Sequence, residues 1–241
     1  MARKRRRFSR AARALLAIFV VVAAALAVWE LAFLRIHALA DRSASRTITV
    51  PVGKGGARRL VVGPANAYWT PLGAISPEAV LCVVKAEDDG FYQHSGFDWE
   101  ALRKAVEKNL EKDRYARGGS TITMQLAKNL FLWRKKSVVR KALEGYLTWR
   151  LESSLTKQRI LELYLNVVEW GPGVYGIGEA SRHYFDKRPA ELTLGEAAML
   201  AAIIPSPLRW NPKRSPAVAM RRQQELLARL RRENALSRIG R

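Results

Sequence analysis

A single cysteine, Cys82, leaves no partner for an intramolecular disulfide, so the fold of this 241-residue chain must rest on packing. The three histidines, His37, His94 and His183, stand far apart, and with a lone cysteine they make no zinc ligand set. Acidic residues are outnumbered, 21 against 42 Lys and Arg, for a formal net charge of +21. Such a surface repels cationic partners and suits anionic ones: nucleic acid, acidic lipid headgroups or a phosphorylated substrate. No P-loop is present, because no lysine directly follows the second glycine of that spacing. Ser154-Leu155-Thr156-Lys157 fits an S-x-x-K acyl-transfer pattern, but its S-D-N and K-T-G partners are missing. Internal repeats and low-complexity tracts are absent as well.

What the chain does have begins at its N-terminus. Arg3, Lys4, Arg5, Arg6, Arg7, Arg10 and Arg13 precede a run from Ala14 to Leu34 that only Glu30 interrupts. A helix of about 20 residues crosses a hydrocarbon core of about 30 Å, and a basic flank stays in the cytoplasm. Residues 1–13 are therefore expected as a cytoplasmic tail and 14–34 as a transmembrane helix, with the remainder outside. Cleavage after Ala25-Leu26-Ala27 is the competing reading, against which Trp29, Leu31, Phe33 and Leu34 continue the apolar run. Residues 35–62 turn polar and glycine-rich and read as a linker with one small hairpin around Thr47 to Val50. From 63 to 212 the apolar spacing is helical, as in Ile160, Leu161, Leu163, Tyr164 and Leu165, which predicts one mostly α catalytic domain. Residues 213–241 read as a basic amphipathic helix or tail, either solvated or lying on a membrane surface. Cys82, inside the apolar run Val80 to Val84, is expected as an inert core thiol.

Three clusters could carry chemistry. Glu87 and Asp88, with Phe91, His94 and Asp98 close behind, place acids at the end of an apolar helix, where partial desolvation can lift a carboxyl into the range of a general base. Capping of the helix end by the same acids is the plainer alternative. Gly118-Gly119-Ser120-Thr121 precedes a helix carrying Gln125, Lys128 and Asn129, and its free N–H groups could hold an anion or merely be capped. Arg140 and Glu144, one turn apart, form either a surface ion pair or a cation and carboxylate at a diphosphate site.

Taken together, these clusters resemble the glycosyltransferase family shared by bifunctional penicillin-binding proteins and monofunctional biosynthetic peptidoglycan transglycosylases. The likeness runs from about Ala79 to Asn211. Glu87 to His94, Gly118 to Asn129 and Arg140-Lys-x-x-Glu144 match the first three motifs, and Leu155-Thr-Lys157, Ile160-Leu-Glu162 and Tyr164-Leu-Asn166 match the fourth. Gly176-Ile-Gly178 to Phe185 and Ala197 to Pro205 resemble the remainder. Met124 departs from the pattern, standing where a second glutamine is common. With no room for a transpeptidase domain before residue 241, the monofunctional branch is the closer likeness.

The resemblance implies a lysozyme-like glycosyltransferase domain with a smaller membrane-facing lobe, preceded by one transmembrane helix in the bacterial inner membrane. It implies inverting transfer between lipid II molecules and a growing lipid-linked glycan, with undecaprenyl diphosphate leaving. By the same resemblance Glu87 is the general base and Glu144 the second essential acid. Asp88, Phe91, His94, Ser120, Thr121, Gln125, Lys128, Asn129 and Arg140 are then substrate-binding or shape the site wall. Glu144 either holds Arg140 or ligates a divalent cation, magnesium or manganese, that bridges the phosphates. Beyond the substrate, the expected partners are the bilayer and other cell-wall synthesis proteins. Phe131 to Lys136 is a segment that could settle into the outer leaflet. Nucleic acid is not expected, because much of the positive charge lies in the terminal segments while the motif region keeps its acids. A lysozyme-like muramidase, using the same acids with water as acceptor, and a basic membrane-anchored binding protein are the rival readings.

Overall fold

A computed structural model describes residues 12–20, 36–52, 56–112, 119–133, 135, 137–233 and 235–238. Residues 12–20 are helical and exposed, while most of the expected span, 21–34, lies outside the described residues. Among the described residues no helix is long and apolar enough to cross a membrane. The Ala25-Leu26-Ala27 site also lies outside them.

An antiparallel hairpin opens the folded part, β1 (Arg46–Val52) against β2 (Gly56–Val62), in a register that pairs Arg46 with Val62. The expected linker is thus part of the domain. Ile36, Leu39, Val50, Leu60 and Val62 are buried in the same apolar cluster as the helices. A boundary at residue 63 would strip that side of the core, and the alternating burial along β2 shows one strand face turned inward.

The helices follow from their caps as well as their apolar faces. Helix α1 (Pro77–Glu87) starts at Ser76, whose Oγ accepts the Ala79 N–H, with Pro at the first helical position. Helix α2 (Trp99–Lys112) follows the first-motif loop, and α3 (Ile122–Phe131) starts at Thr121. Helices α4 (Val138–Ser154) and α5 (Lys157–Val167) are capped by Ser137 and Thr156. Every residue of α5 from Arg159 to Val167 is buried, which makes it the central helix, with α3 packed on both α4 and α5. A short hairpin, β3 (Glu169–Gly171) and β4 (Val174–Tyr175), leads to α6 (Ile177–Phe185). Gly178 is required at the start of α6, because a Cβ there would stand 2.1 Å from the Tyr68 carbonyl oxygen.

The last layer is α7 (Leu194–Ile203), the single turn α8 (Pro207–Trp210) and α9 (Pro216–Arg232). Helix α9 buries Ala219, Leu226 and Leu230 against α7 and α1. The segment expected as a basic amphipathic helix or tail, solvated or on a membrane surface, is a helix bound to the domain through its apolar stripe, with most of its basic residues toward solvent. Cys82 is fully buried, and burial pushes its thiol up to about 12, which keeps it protonated and inert.

Buried polar residues tie these layers together. The Arg159 guanidinium pairs with Glu162 inside α5 and donates to the carbonyls of Leu39 and Asp41. Glu162 also accepts the Leu72 N–H at 3.0 Å, and Asn166 binds both the N–H and the carbonyl of Thr70. The fourth motif is thus the seam that fastens the N-terminal segment to the central helix.

Candidate functional site

Glu87 is the last residue of α1, and its position is set by α3 and α5 behind it. Tyr164, fully buried on α5, donates from its hydroxyl to Gln125 Oε1 at 3.1 Å. That bond settles which end of the Gln125 amide faces Glu87: Nε2 donates to Glu87 Oε2 at 2.7 Å. The other carboxylate oxygen, Oε1, is buried without a hydrogen-bond partner. Burial pushes the Glu87 carboxyl from 4.5 to about 7, against the opposing pull of the Gln125 bond and the Lys128 charge, with Asp88 adding to the rise. A carboxyl with that affinity and one unengaged oxygen can take a proton near neutral pH.

Asp88 does different work from its neighbour. Its Oδ2 accepts the Ile122 N–H at 2.9 Å, and its Oδ1 lies 2.9 Å from His94 Nε2. Gly96 N–H donates to His94 Nδ1, which leaves the proton on Nε2 for Asp88. The anion at the start of α3 is therefore supplied from within the protein, and of the two readings open for this helix start the structure shows the capped one. Thr121 is likewise engaged: its hydroxyl donates to the Gly96 carbonyl at 2.7 Å and accepts the Met124 N–H. Gly96 has φ +91° and faces Thr148 and Glu152 so closely that a Cβ would clash. These bonds lock the first-motif loop to the second. Phe91 is fully buried beneath that loop with the Lys157 ammonium 4.4 Å from its ring centre, so it supports the wall without lining it. Lys157 also reaches Glu152 at 2.8 Å, and Glu152 accepts from Thr123.

Arg140 and Glu144 of the third motif are buried, which sets aside the reading of a surface pair. Arg140 and Glu144 are joined at 2.7 Å, and Lys141 reaches the second Glu144 oxygen at 2.5 Å. Lys128 on α3 lies in the field of both Glu144 and Glu87, and burial lowers its affinity for a proton. Both acids act on that ammonium, and no described hydrogen bond joins one to the other. A divalent cation at Glu144 does not suit this arrangement, since both oxygens are held by cations and Lys128 is near. Among the described residues Asp88, His94 and Asp98 bring ligand atoms within 4.8 Å of one another. Each is already committed, Asp98 through Oδ1 to the Ala101 N–H.

Ser120 is exposed on the wall of a cavity of about 320 Å³ shared with Glu87, Asp88, Asp98 and Thr121. Asn129 is half-buried on α3, and Gly118 lies outside the described residues. Tyr164, Glu152 and Lys157 carry more of the site than their types suggested. A tyrosine inside a run of leucines looks like core, and only its hydroxyl partner reveals its second task.

The transglycosylase family model matches residues 57–231. The chain belongs to the transglycosylase family. A relative from Laribacter hongkongensis, a biosynthetic peptidoglycan transglycosylase, is 45% identical over 162 residues, 67% of this chain and 71% of the relative. Relatives of the same name from Dechloromonas aromatica and Shewanella oneidensis are 46% identical over 162 residues and 50% identical over 148. Those matches cover 67% and 61% of this chain, and 70% and 62% of the relatives.

Met124, the departure from the family pattern, is buried on α3 at 7% exposure. Met124→Gln is expected to change the transfer rate less than about fivefold. It should lower stability by roughly 1–3 kcal/mol, because a buried amide must find partners there. A rate gain above about tenfold would show that the glutamine makes a substrate contact that methionine cannot.

Proposed function

We propose that the chain is a monofunctional peptidoglycan glycosyltransferase that polymerises lipid II at the outer face of the inner membrane. The observation that carries this reading is Glu87: a buried carboxyl raised to about 7, aimed by Tyr164 through Gln125, with one oxygen unengaged. The 4-hydroxyl of one lipid-linked disaccharide attacks the anomeric carbon of the growing chain, and its proton passes to Glu87 Oε1. The new bond forms on the face opposite the breaking bond to diphosphate, so configuration inverts. Lys128 and Arg140 offset the charge gathering on the leaving diphosphate, and Glu144 holds Arg140 and Lys141 in place for that task. The buried Arg140 Nε without a partner supports this role, since it is a donor still to be used.

Membrane attachment suits such a substrate, whose reacting headgroup stays at the bilayer surface. Trp99, Trp133, Val138, Val139 and Trp149 are exposed apolar residues, and Val138 and Val139 open α4 just before the Arg140 motif. They support a lobe that dips into the outer leaflet beside a helix over 14–34. Arg134 and Lys136 of the 131–136 segment lie outside the described residues. The full chain is expected in the membrane fraction after carbonate washing, and recovery in the supernatant without its first 27 residues or so would establish cleavage.

Purified protein given lipid II should yield glycan polymer and undecaprenyl diphosphate. Shortening of pre-formed glycan without polymer would make it a muramidase. Salt-sensitive lipid or nucleic-acid binding with neither reaction would make it a binding protein.

A further inference from the structure

Arg229, on α9, lies beyond the motifs that carry the family likeness. We infer that Arg229 is a positioning residue for glycosyl transfer, clamping the end of the helix from which Glu87 projects; the inference rests on the reading of Glu87 as the base. Nη1 donates to the Lys85 carbonyl at 2.9 Å, one of the last-turn carbonyls that a helix leaves orphaned. Nη2 donates to Asp89 Oδ2 at 2.8 Å, and Nε to Glu233 Oε1 at 2.8 Å. Lys85 completes the ring, reaching Asp89 at 2.5 Å and Glu233 at 3.0 Å. The residues on both sides of Glu87 are thus tied to one guanidinium, whose rigid fork a lysine cannot reproduce.

The place of the ring matters more than its strength. Arg229 is partly exposed, so each pair adds little to stability. Yet Arg229 and Ala86, the residue before Glu87, line both the cavity that holds Glu87 and a second one of about 260 Å³ under Ala201, Ala202 and Leu226. The two cavities thus share these two lining residues. Removing the guanidinium frees the helix end and joins the cavities, so water reaches the Glu87 carboxyl from behind. The charged and polar groups facing that carboxyl, Lys128 and Gln125 from α3, Tyr164 from α5 and the adjacent Asp88, stay in place.

The test is the pH–rate profile of the full-length enzyme in detergent with lipid II. Arg229→Ala should lower kcat about tenfold with KM nearly unchanged, the scale expected for a displaced base. The acid limb should move down by about half a pH unit as the carboxyl is hydrated. Arg229→Lys should recover melting temperature but not the limb. Glu233→Gln, which loosens the ring without touching the Lys85 carbonyl, should shift the limb in the same direction by less, and it decides the matter should Arg229→Ala fail to fold. A limb that stays at the wild-type pH in folded Arg229→Ala or in Glu233→Gln overturns the clamp, as does full recovery of kcat and limb by Arg229→Lys. Absence of polymer from the wild-type enzyme instead removes the reading of the reaction.

Discussion

Glu87→Gln is expected to lower the rate of glycosyl transfer by about 10²-fold or more while leaving lipid II affinity nearly unchanged. The amide keeps the shape of the side chain and can still accept the Gln125 bond, but it cannot take a proton from the acceptor hydroxyl. In the wild-type enzyme the base must be ionised, so activity should rise with pH through about 7, where Glu87 loses its proton. The same shift acts on stability with a definite sign. A carboxyl raised from 4.5 to about 7 by folding favours the protonated native state, so its stabilising contribution is full below about 4.5 and is lost as pH rises through about 7. Glu87→Gln should therefore be at least as stable as the wild type at pH 8, by an amount on the order of 1–3 kcal/mol, and melt no lower, with the gap closing by pH 5. An inactive variant that is no less stable separates a catalytic loss from a folding defect. Near-normal polymerisation by Glu87→Gln would move the base to another group.

Glu144→Gln should fail differently. Its carboxylate sits 3% exposed between Arg140 and Lys141, so removing the charge leaves two cations and the nearby Lys128 uncompensated. Breaking a buried pair on one side costs roughly 3–5 kcal/mol, toward the lower figure here because an amide oxygen still accepts one bond. The released Arg140 no longer holds one geometry at the diphosphate, so KM should rise and kcat fall together, by about tenfold each. The acid limb of the rate should stay where Glu87 sets it. Substrate affinity and rate both near wild type in Glu144→Gln, measured on the folded fraction, would show that Arg140 does not depend on this acid.

How much of this could be read from the chain before it folded differs from residue to residue. The helical class, the Ser or Thr cap before Ile122 and the order of the motifs follow from local rules, because an apolar period and a side-chain oxygen at a helix start act within a few residues. The pairing of Arg140 with Glu144 is legible for the same reason, since i,i+4 spacing places them on one turn, whereas the roles of Glu87 and Glu144 are implied only by the family resemblance. The state of Glu87 was not legible, since its shift depends on burial by α3 and α5, more than 30 residues away in sequence. Asp88, Thr121 and His94 had the right types for substrate contacts, and only their partners across the fold show them engaged with Ile122, Gly96 and each other. That the hairpin within 35–62 and the basic helix within 213–241 pack on the domain is not visible in polarity and glycine content, which report average exposure. A few inward residues, Leu60, Val62, Leu226 and Leu230, decide docking. Periodicity over a short span cannot tell which layer will receive an apolar face; only the packed core, with Arg159 and Arg229 binding distant carbonyls, settles it.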